Sequence, residues 1–179
     1  MTDDAAAPIP ETEGPAYRID PGFMAGERVM LEGWLEFHRD TLRWKIEGLD
    51  DDQLKQRSVP PSTMSLLGLV RHMADVELNW FQRVLAGQQV PGIFWSDDDL
   101  EGEFDGVDDA VASDDVATWQ AQIETARSLA GSRGLDDTGV RHGEPCSLRW
   151  IYLHMIEEYA RHNGHADLLR QCIDGATGD

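Results

Sequence analysis

Long apolar runs and basic residues are both scarce in this chain of 179 residues. No apolar run approaches the roughly 20 residues that span a bilayer, and the N-terminus lacks the basic and apolar regions of a signal peptide. The 15 Lys and Arg residues are outnumbered by 34 Asp and Glu residues, which gives a formal net charge of -19. Such a charge repels phosphate backbones and anionic membrane surfaces. We therefore expect a cytoplasmic protein that binds neither nucleic acid nor membranes.

Cysteine is scarce as well, and only Cys146 and Cys172 are present. They flank the last predicted helix, whose rise of 1.5 Å per residue would separate them by about 39 Å, too far for a disulfide. On the same rise Cys146 lies about 24 Å from His162, too far for a shared metal. Free, reduced thiols fit the cytoplasm.

Several sequence motifs that are typical of particular functions are absent. The chain has no internal repeat, no G-x-G-x-x-G, no phosphate loop, no CxxC and no G-x-S-x-G. The Gly- and Asp-rich stretch at residues 87–115 lacks the calcium-loop pattern D-x-D-x-D-G-x5-E. We interpret this stretch as a solvated connection anchored by Ile93, Phe94, Trp95 and Phe104.

What the sequence does contain is helical periodicity. Apolar residues recur at three- and four-residue steps over about residues 26–48, from the "SVPPSTMS" break to about 86, over 116–132 and over 147–173. The last helix is expected to begin at Ser147 and to stop at Gly175. We therefore predict an all-α four-helix bundle with a long crossover between helices two and three. Residues 1–20 are expected to form a flexible arm, and 21–179 a single domain.

The last helix carries ionisable side chains on its apolar stripe. This stripe passes through Ile151, Met155, Glu158, His162, His165 and Leu169. An unpaired carboxylate or imidazole there would carry a large desolvation penalty, so something should compensate it. One explanation is a Glu158–His162 hydrogen bond on a half-exposed helix. The other is a divalent metal bound by both side chains, with zinc, nickel or iron as candidates.

A metal would need a third ligand, and helix two contains a candidate. His72 lies beside the apolar stripe in "SLLGLVRHMADVELNWF", where it is either a satisfied core histidine or a ligand that faces the Glu158/His162 pair. The other histidines compete less well. His38 is interpreted as a packing or supporting residue, His154 as a residue that orients a neighbouring carboxylate or backbone group, and His142 carries no clear signal.

Two stretches, "LVRHMADVE" and "LHMIEEYARHNGHADLLR", resemble the DinB/YfiT-like metal-binding four-helix bundles. In the commoner family pattern, helix four carries H-x-x-x-H before an R-G-Q-like triplet, and helix two supplies a third histidine. In this chain His162 matches the last ligand and Glu158 stands where the family has histidine. That change is similar to the mycothiol-dependent maleylpyruvate isomerase and mycothiol S-transferase branch, and His165 falls on the family's Gln.

The resemblance implies a metal held by His72, Glu158 and His162, and mycothiol or a related thiol as co-substrate. Zinc is the expected metal, with nickel or iron as alternatives. His165 is expected to support a ligand or to transfer a proton, as a catalytic residue. The leading hypothesis is a thiol S-transferase that joins the thiol to an electrophilic small molecule. A hydrolase that uses metal-bound water and a non-enzymatic metal-binding stress-response protein are the alternatives, and a homodimer is compatible with the sequence.

Overall fold

The structure is a computed structural model that describes residues 14–96 and 98–178. Most of the predicted arm, residues 1–13, lies outside the described residues. The described part contains helices α1 (Glu27–Ile46), α2 (Asp51–Lys55), α3 (Leu66–Glu77), α4 (Gly102–Asp105), α5 (Ala112–Gly131) and α6 (Leu148–Asp174). A π-helical segment, Leu78–Leu85, continues α3, and strands β1 (Thr138–Arg141) and β2 (Glu144–Ser147) precede α6. The prediction of a mostly helical protein is confirmed.

The β1–β2 hairpin is a departure from the predicted all-α fold. Its strands pair antiparallel, from Thr138 opposite Ser147 to Arg141 opposite Glu144. The two turn residues, His142 and Gly143, have φ of 52° and 84°. Two consecutive positive φ values are typical of a two-residue turn whose twist matches that of paired strands. The hairpin therefore occupies the connection between α5 and α6, where no strand was predicted.

The four long helices pack in pairs around one core. Helix α1 packs along α6, and α3 with its π-helical continuation packs along α5 and also contacts α6. None of the described helices has the length and apolar composition needed to span a bilayer. Helix α5 buries apolar residues of the predicted periodic segment 116–132, among them Trp119, Ile123 and Ala126. Helix α5 begins earlier than predicted, at Ala112.

Helix α6 begins and ends where the capping signals predicted. The Ser147 side chain accepts a hydrogen bond from the backbone N–H of Trp150, and Gly175 adopts φ +81° at the C-terminus. The burial of its faces differs from the prediction. The fully buried positions include Met155 and Tyr159, whereas Glu158 is half-buried beside them.

His162 and His165 are half-buried as well. The ionisable residues thus lie at the edge of the core stripe and not within it, which leaves them open to solvent on one side.

The crossover between α3 and α5 is more than a solvated connection. The buried Asp75 carboxylate of α3 accepts backbone hydrogen bonds from Ile93 (2.7 Å) and Phe94 (2.9 Å). The guanidinium of Arg71 lies 4.3 Å from the centre of the Phe94 ring. The aromatic anchors predicted for this stretch are therefore partly confirmed, but the crossover also buries Glu103, which the sequence analysis did not single out.

Candidate metal centre

The structure brings His72, Glu158 and His162 together. Each residue offers one possible ligand atom, and the three atoms lie within 4.8 Å of one another. His72 projects from α3, while the i, i+4 spacing of Glu158 and His162 places them side by side on α6. The His72 and His162 rings have their centres 4.6 Å apart. A single ion at this point would join α3 to α6.

The donor set fits a divalent cation. Zinc binds imidazole nitrogen and carboxylate oxygen at about 2.0–2.2 Å, so two ligands of one tetrahedral ion lie roughly 3.3 Å apart. His162 Nε2 is 3.5 Å from Glu158 Oε2. That separation allows a direct ion pair and is also close to the spacing of two ligands around one ion. Two imidazoles with one carboxylate leave at least one coordination position for another molecule.

The Glu158 carboxylate is held in its ionised form by its neighbours. A hydrogen bond from His162 lowers the pKa of Glu158, and the nearby His154, His162 and His72 lower it further against the opposing effect of burial. His154 Nε2 lies 3.2 Å from Glu158 Oε1, so His154 orients the carboxylate, as predicted from its position one turn earlier. An ionised carboxylate is the form that binds a metal.

His165 contacts a proposed ligand and does not approach the other two in the described contacts. Its Nδ1 is 3.4 Å from Nδ1 of His162, at the long end of hydrogen bonding. Burial lowers the pKa of His165, and the charges of His162 and Arg161 act in the same direction. The ring is therefore placed to support His162 on the side away from Glu158.

The supporting residue that sequence reasoning missed is Glu103. Its Oε1 lies 2.9 Å from Nδ1 of His72, and it reaches this position from α4 in the crossover. No periodic pattern marks Glu103, because α4 is a single turn inside an acidic stretch. The contact depends on how the crossover folds back on α3, and a local sequence signal for it does not exist.

A cluster of aromatic rings lies next to Glu158. His154 stacks on Trp150 with a centroid separation of 5.0 Å, and the Trp80 ring lies 4.5 Å from His154. The guanidinium of Arg141, from β1, lies over Trp80 at 4.6 Å. Trp80 is buried, whereas Trp150 is 48% exposed. The cluster therefore forms a wall beside the candidate metal centre that is open to solvent at Trp150.

His154, Glu157 and Glu158 form a second group with ligand atoms within 4.8 Å. Glu157, however, is exposed and forms an ion pair with Arg161. The set with two imidazoles from two helices is the better buried of the two groups.

The remaining histidines lie away from the centre. His38 contacts Trp34 and Phe37 on α1, and its backbone carbonyl accepts a hydrogen bond from the Asn163 side chain at 3.0 Å. His142 occupies the exposed hairpin turn. Both cysteines are free, with Cys172 exposed and Cys146 half-buried in strand β2.

Comparison with known proteins places the chain in a family. No curated protein matches the chain. The family model described as mycothiol-S-transferase matches residues 30–175. The match includes helices α3 and α6, and with them every residue of the candidate metal centre. On this match the chain belongs to the mycothiol-S-transferase family.

Proposed function

We propose that this protein is a divalent-metal-dependent thiol S-transferase that uses mycothiol or a related low-molecular-weight thiol. The observation that carries the proposal is the convergence of His72, Glu158 and His162 within 4.8 Å in a chain of the mycothiol-S-transferase family. Their half-buried position suits a small-molecule site, because one side of the set is packed and the other is accessible. Zinc is the proposed metal, with nickel or iron as alternatives.

In the proposed site, three residues would bind the ion and two others would orient them. His72, Glu158 and His162 supply the donor atoms, while His154 and His165 orient Glu158 and His162 through contacts of 3.2 and 3.4 Å. A bound divalent cation lowers the pKa of a coordinated thiol and so provides a thiolate near neutral pH. His165 is proposed as a catalytic residue. It would either support His162, which it contacts, or take up a proton.

The architecture proposed with this function is a DinB-like four-helix bundle formed by α1, α3, α5 and α6. The pairing of α1 with α6 and of α3 with α5 supports it. Residues 21–179 are proposed to form the single domain. Within residues 14–20, Tyr17 donates a hydrogen bond to Glu47 at 2.7 Å, so the described end of the proposed arm contacts the end of α1.

The electrophile is expected to bind between the metal centre and the aromatic wall. Trp80, His154 and Trp150 border Glu158, and Trp150 presents an exposed ring. Phe104 is the crossover aromatic that reaches the centre, where it stacks on His72 with a centroid separation of 5.7 Å. Aromatic side chains bind flat apolar groups through area burial and offset stacking, so these rings favour an electrophile with a planar or apolar portion.

Metal analysis combined with a conjugation assay tests the proposal. The chain is purified without chelator, its bound metals are quantified, and it is mixed with mycothiol and iodoacetamide. In the reaction the thiol sulfur bonds to the CH₂ carbon, iodide leaves, and the thiol proton passes to solvent. We expect a rate above the uncatalysed reaction that is lost with chelator and regained with zinc. Hydrolysis of ester substrates without thiol would instead indicate a hydrolase, and metal binding without either activity a non-enzymatic protein.

A further inference from the structure

Among the described residues of the crossover, Glu103 is the ionisable one that contacts an ionisable proposed ligand, His72. Its Oε1 is 2.9 Å from Nδ1 of His72, and its residue is 9% exposed. The other oxygen, Oε2, is buried without a hydrogen-bond partner among the described residues. A buried carboxylate with one hydrogen bond is costly, so its position requires a reason beyond the packing of α4.

The crossover is built so that Glu103 is held against α3. Arg71, the neighbour of His72, donates to the backbone carbonyls of Gly102 (3.0 Å) and Gly106 (2.9 Å), one on each side of Glu103. Phe104 packs on the other side, where a Cβ at Gly68 would lie 2.8 Å from its ring. Two consecutive residues of α3 therefore contact this segment of the crossover. Arg71 binds backbone carbonyls on either side of Glu103, and His72 binds the Glu103 side chain.

The contact favours one tautomer of the neutral His72 ring. A carboxylate only accepts hydrogen bonds, so in the neutral ring the Nδ1 that faces Glu103 carries the proton and Nε2 keeps its lone pair. A carboxylate on the far side of an imidazole fixes the tautomer, orients the ring and makes the ligating nitrogen more basic. In addition, a cation at Nε2 would balance the negative charge that Glu103 brings into a buried position.

We propose that Glu103 is a positioning residue for the metal centre, which acts through the His72 imidazole to orient it and to strengthen its binding to a divalent cation. The inference rests on the proposed metal site and adds the crossover to it. It also explains why this acidic residue is buried, whereas the other described acidic residues of the crossover are exposed. A purely structural ion pair between Glu103 and a protonated His72 would stabilise the fold but oppose metal binding, so the two roles differ in a measurable way.

The test compares Glu103→Gln, which keeps an oxygen acceptor but no charge, with Glu103→Ala, which keeps neither. The exposed Asp105→Asn in the same helix is the control. The metal-free full-length chains are titrated with cobalt(II) against a chromophoric chelator, and the visible absorption of the bound ion is recorded. We expect about 10–100-fold weaker binding for Glu103→Ala with a changed spectrum, and a smaller loss for Glu103→Gln. Asp105→Asn should differ from wild type by less than about twofold.

The outcomes separate this inference from the proposed function. If wild type binds cobalt and both Glu103 variants bind it equally well with the same spectrum, the positioning role is overturned while the metal site stands. If wild type binds no cobalt, both the proposed metal site and the positioning role of Glu103 are rejected. Circular dichroism of the metal-free chains reports folding. If Glu103→Ala does not fold, the cobalt affinity of Glu103→Gln alone tests the positioning role. An affinity equal to that of wild type would then reject this role.

Discussion

Glu158 and Tyr159 are adjacent on α6, yet their side chains lie in different surroundings. Glu158 belongs to the candidate metal centre, and Tyr159 belongs to a buried hydrogen-bond network. The Glu158 carboxylate lies 3.5 Å from His162 in the half-buried candidate centre. The Tyr159 hydroxyl is fully buried, donates to Glu77 at 2.8 Å and accepts from Trp119 at 2.9 Å. The buried network thus fixes the rotation of α6 at the point where the candidate ligands begin, so packing and site geometry are coupled through one peptide unit.

Replacing Glu158 should remove the metal without unfolding the helix. Glu158→Gln keeps the shape of the side chain but loses the charge that binds a cation. We expect metal affinity to fall by more than about 100-fold, because loss of a ligand should exceed the 10–100-fold cost of losing a supporting partner. Elemental analysis after reconstitution measures it, and Glu157→Gln, an exposed neighbour, is the control. Unchanged metal content in Glu158→Gln would reject the ligand assignment.

His165→Gln should retain the metal. The ring contacts His162 at 3.4 Å and is one turn beyond the Glu158/His162 pair, so a glutamine can replace it without removing a donor atom. We expect full metal occupancy together with a slower conjugation reaction. Occupancy and turnover are measured on the same preparation. Complete loss of metal would show that His165, and not its neighbour, is the ligand.

His72 should make metal binding stabilise the whole fold, because the ion joins α3 to α6 and the unfolded chain lacks the assembled site. At a free zinc concentration of 100 Kd, the gain is about 2.7 kcal/mol, or roughly 5–10 °C in Tm for a chain of this size. His72→Ala should lose most of this shift, whereas His142→Ala, in the hairpin turn, should keep it. Thermal unfolding with zinc and with chelator gives both values. Equal shifts in the two variants would remove α3 from the site.

Tyr159→Phe should destabilise the protein through the buried network. The change leaves the Trp119 N–H without its acceptor and removes one hydrogen bond to Glu77, which also forms a buried ion pair with Arg39 at 2.7 Å. Hydrogen bonds to charged groups contribute about 1.5–3 kcal/mol, so we expect a loss of about 2 kcal/mol. Urea denaturation measures it. Tyr17→Phe, whose hydroxyl bonds Glu47 at the surface, should cost less than about 0.5 kcal/mol.

The stability of the metal-free protein should fall in mild acid, in part because of His38. Burial lowers the pKa of His38, and the charge of Arg18 lowers it further. The unfolded state therefore binds a proton more readily, and the free energy of unfolding decreases as the pH falls through the unfolded pKa of about 6.5. The decrease ends once the pH is below the folded pKa. His38→Gln should show a smaller loss between pH 7.5 and 5 in chelator. Parallel curves for wild type and variant would refute this role of His38.

The sequence by itself determined the four long helices and the local half of the candidate site. Helical periods and capping residues are local signals, so Ser147 and Gly175 could be recognised at the ends of α6. The side-by-side placement of Glu158 and His162 follows from i, i+4 spacing on any helix. The family was also recognisable, because its motifs lie within two continuous stretches. The His142–Gly143 turn left a weaker signal, since glycine readily adopts the positive φ that it requires.

Only the tertiary structure decided which residues from distant parts of the chain meet. Glu103 reaches His72 across 31 residues, and Tyr159 reaches Glu77 across 82. Such contacts have no period and no fixed spacing, because they depend on how the crossover folds and how α6 rotates against α3. The same rotation placed Glu158, His162 and His165 at the edge of the core instead of inside it. Periodicity predicts a helical face to within about one residue position, which is 100° of rotation, and that is the difference between a buried side chain and one that solvent can reach.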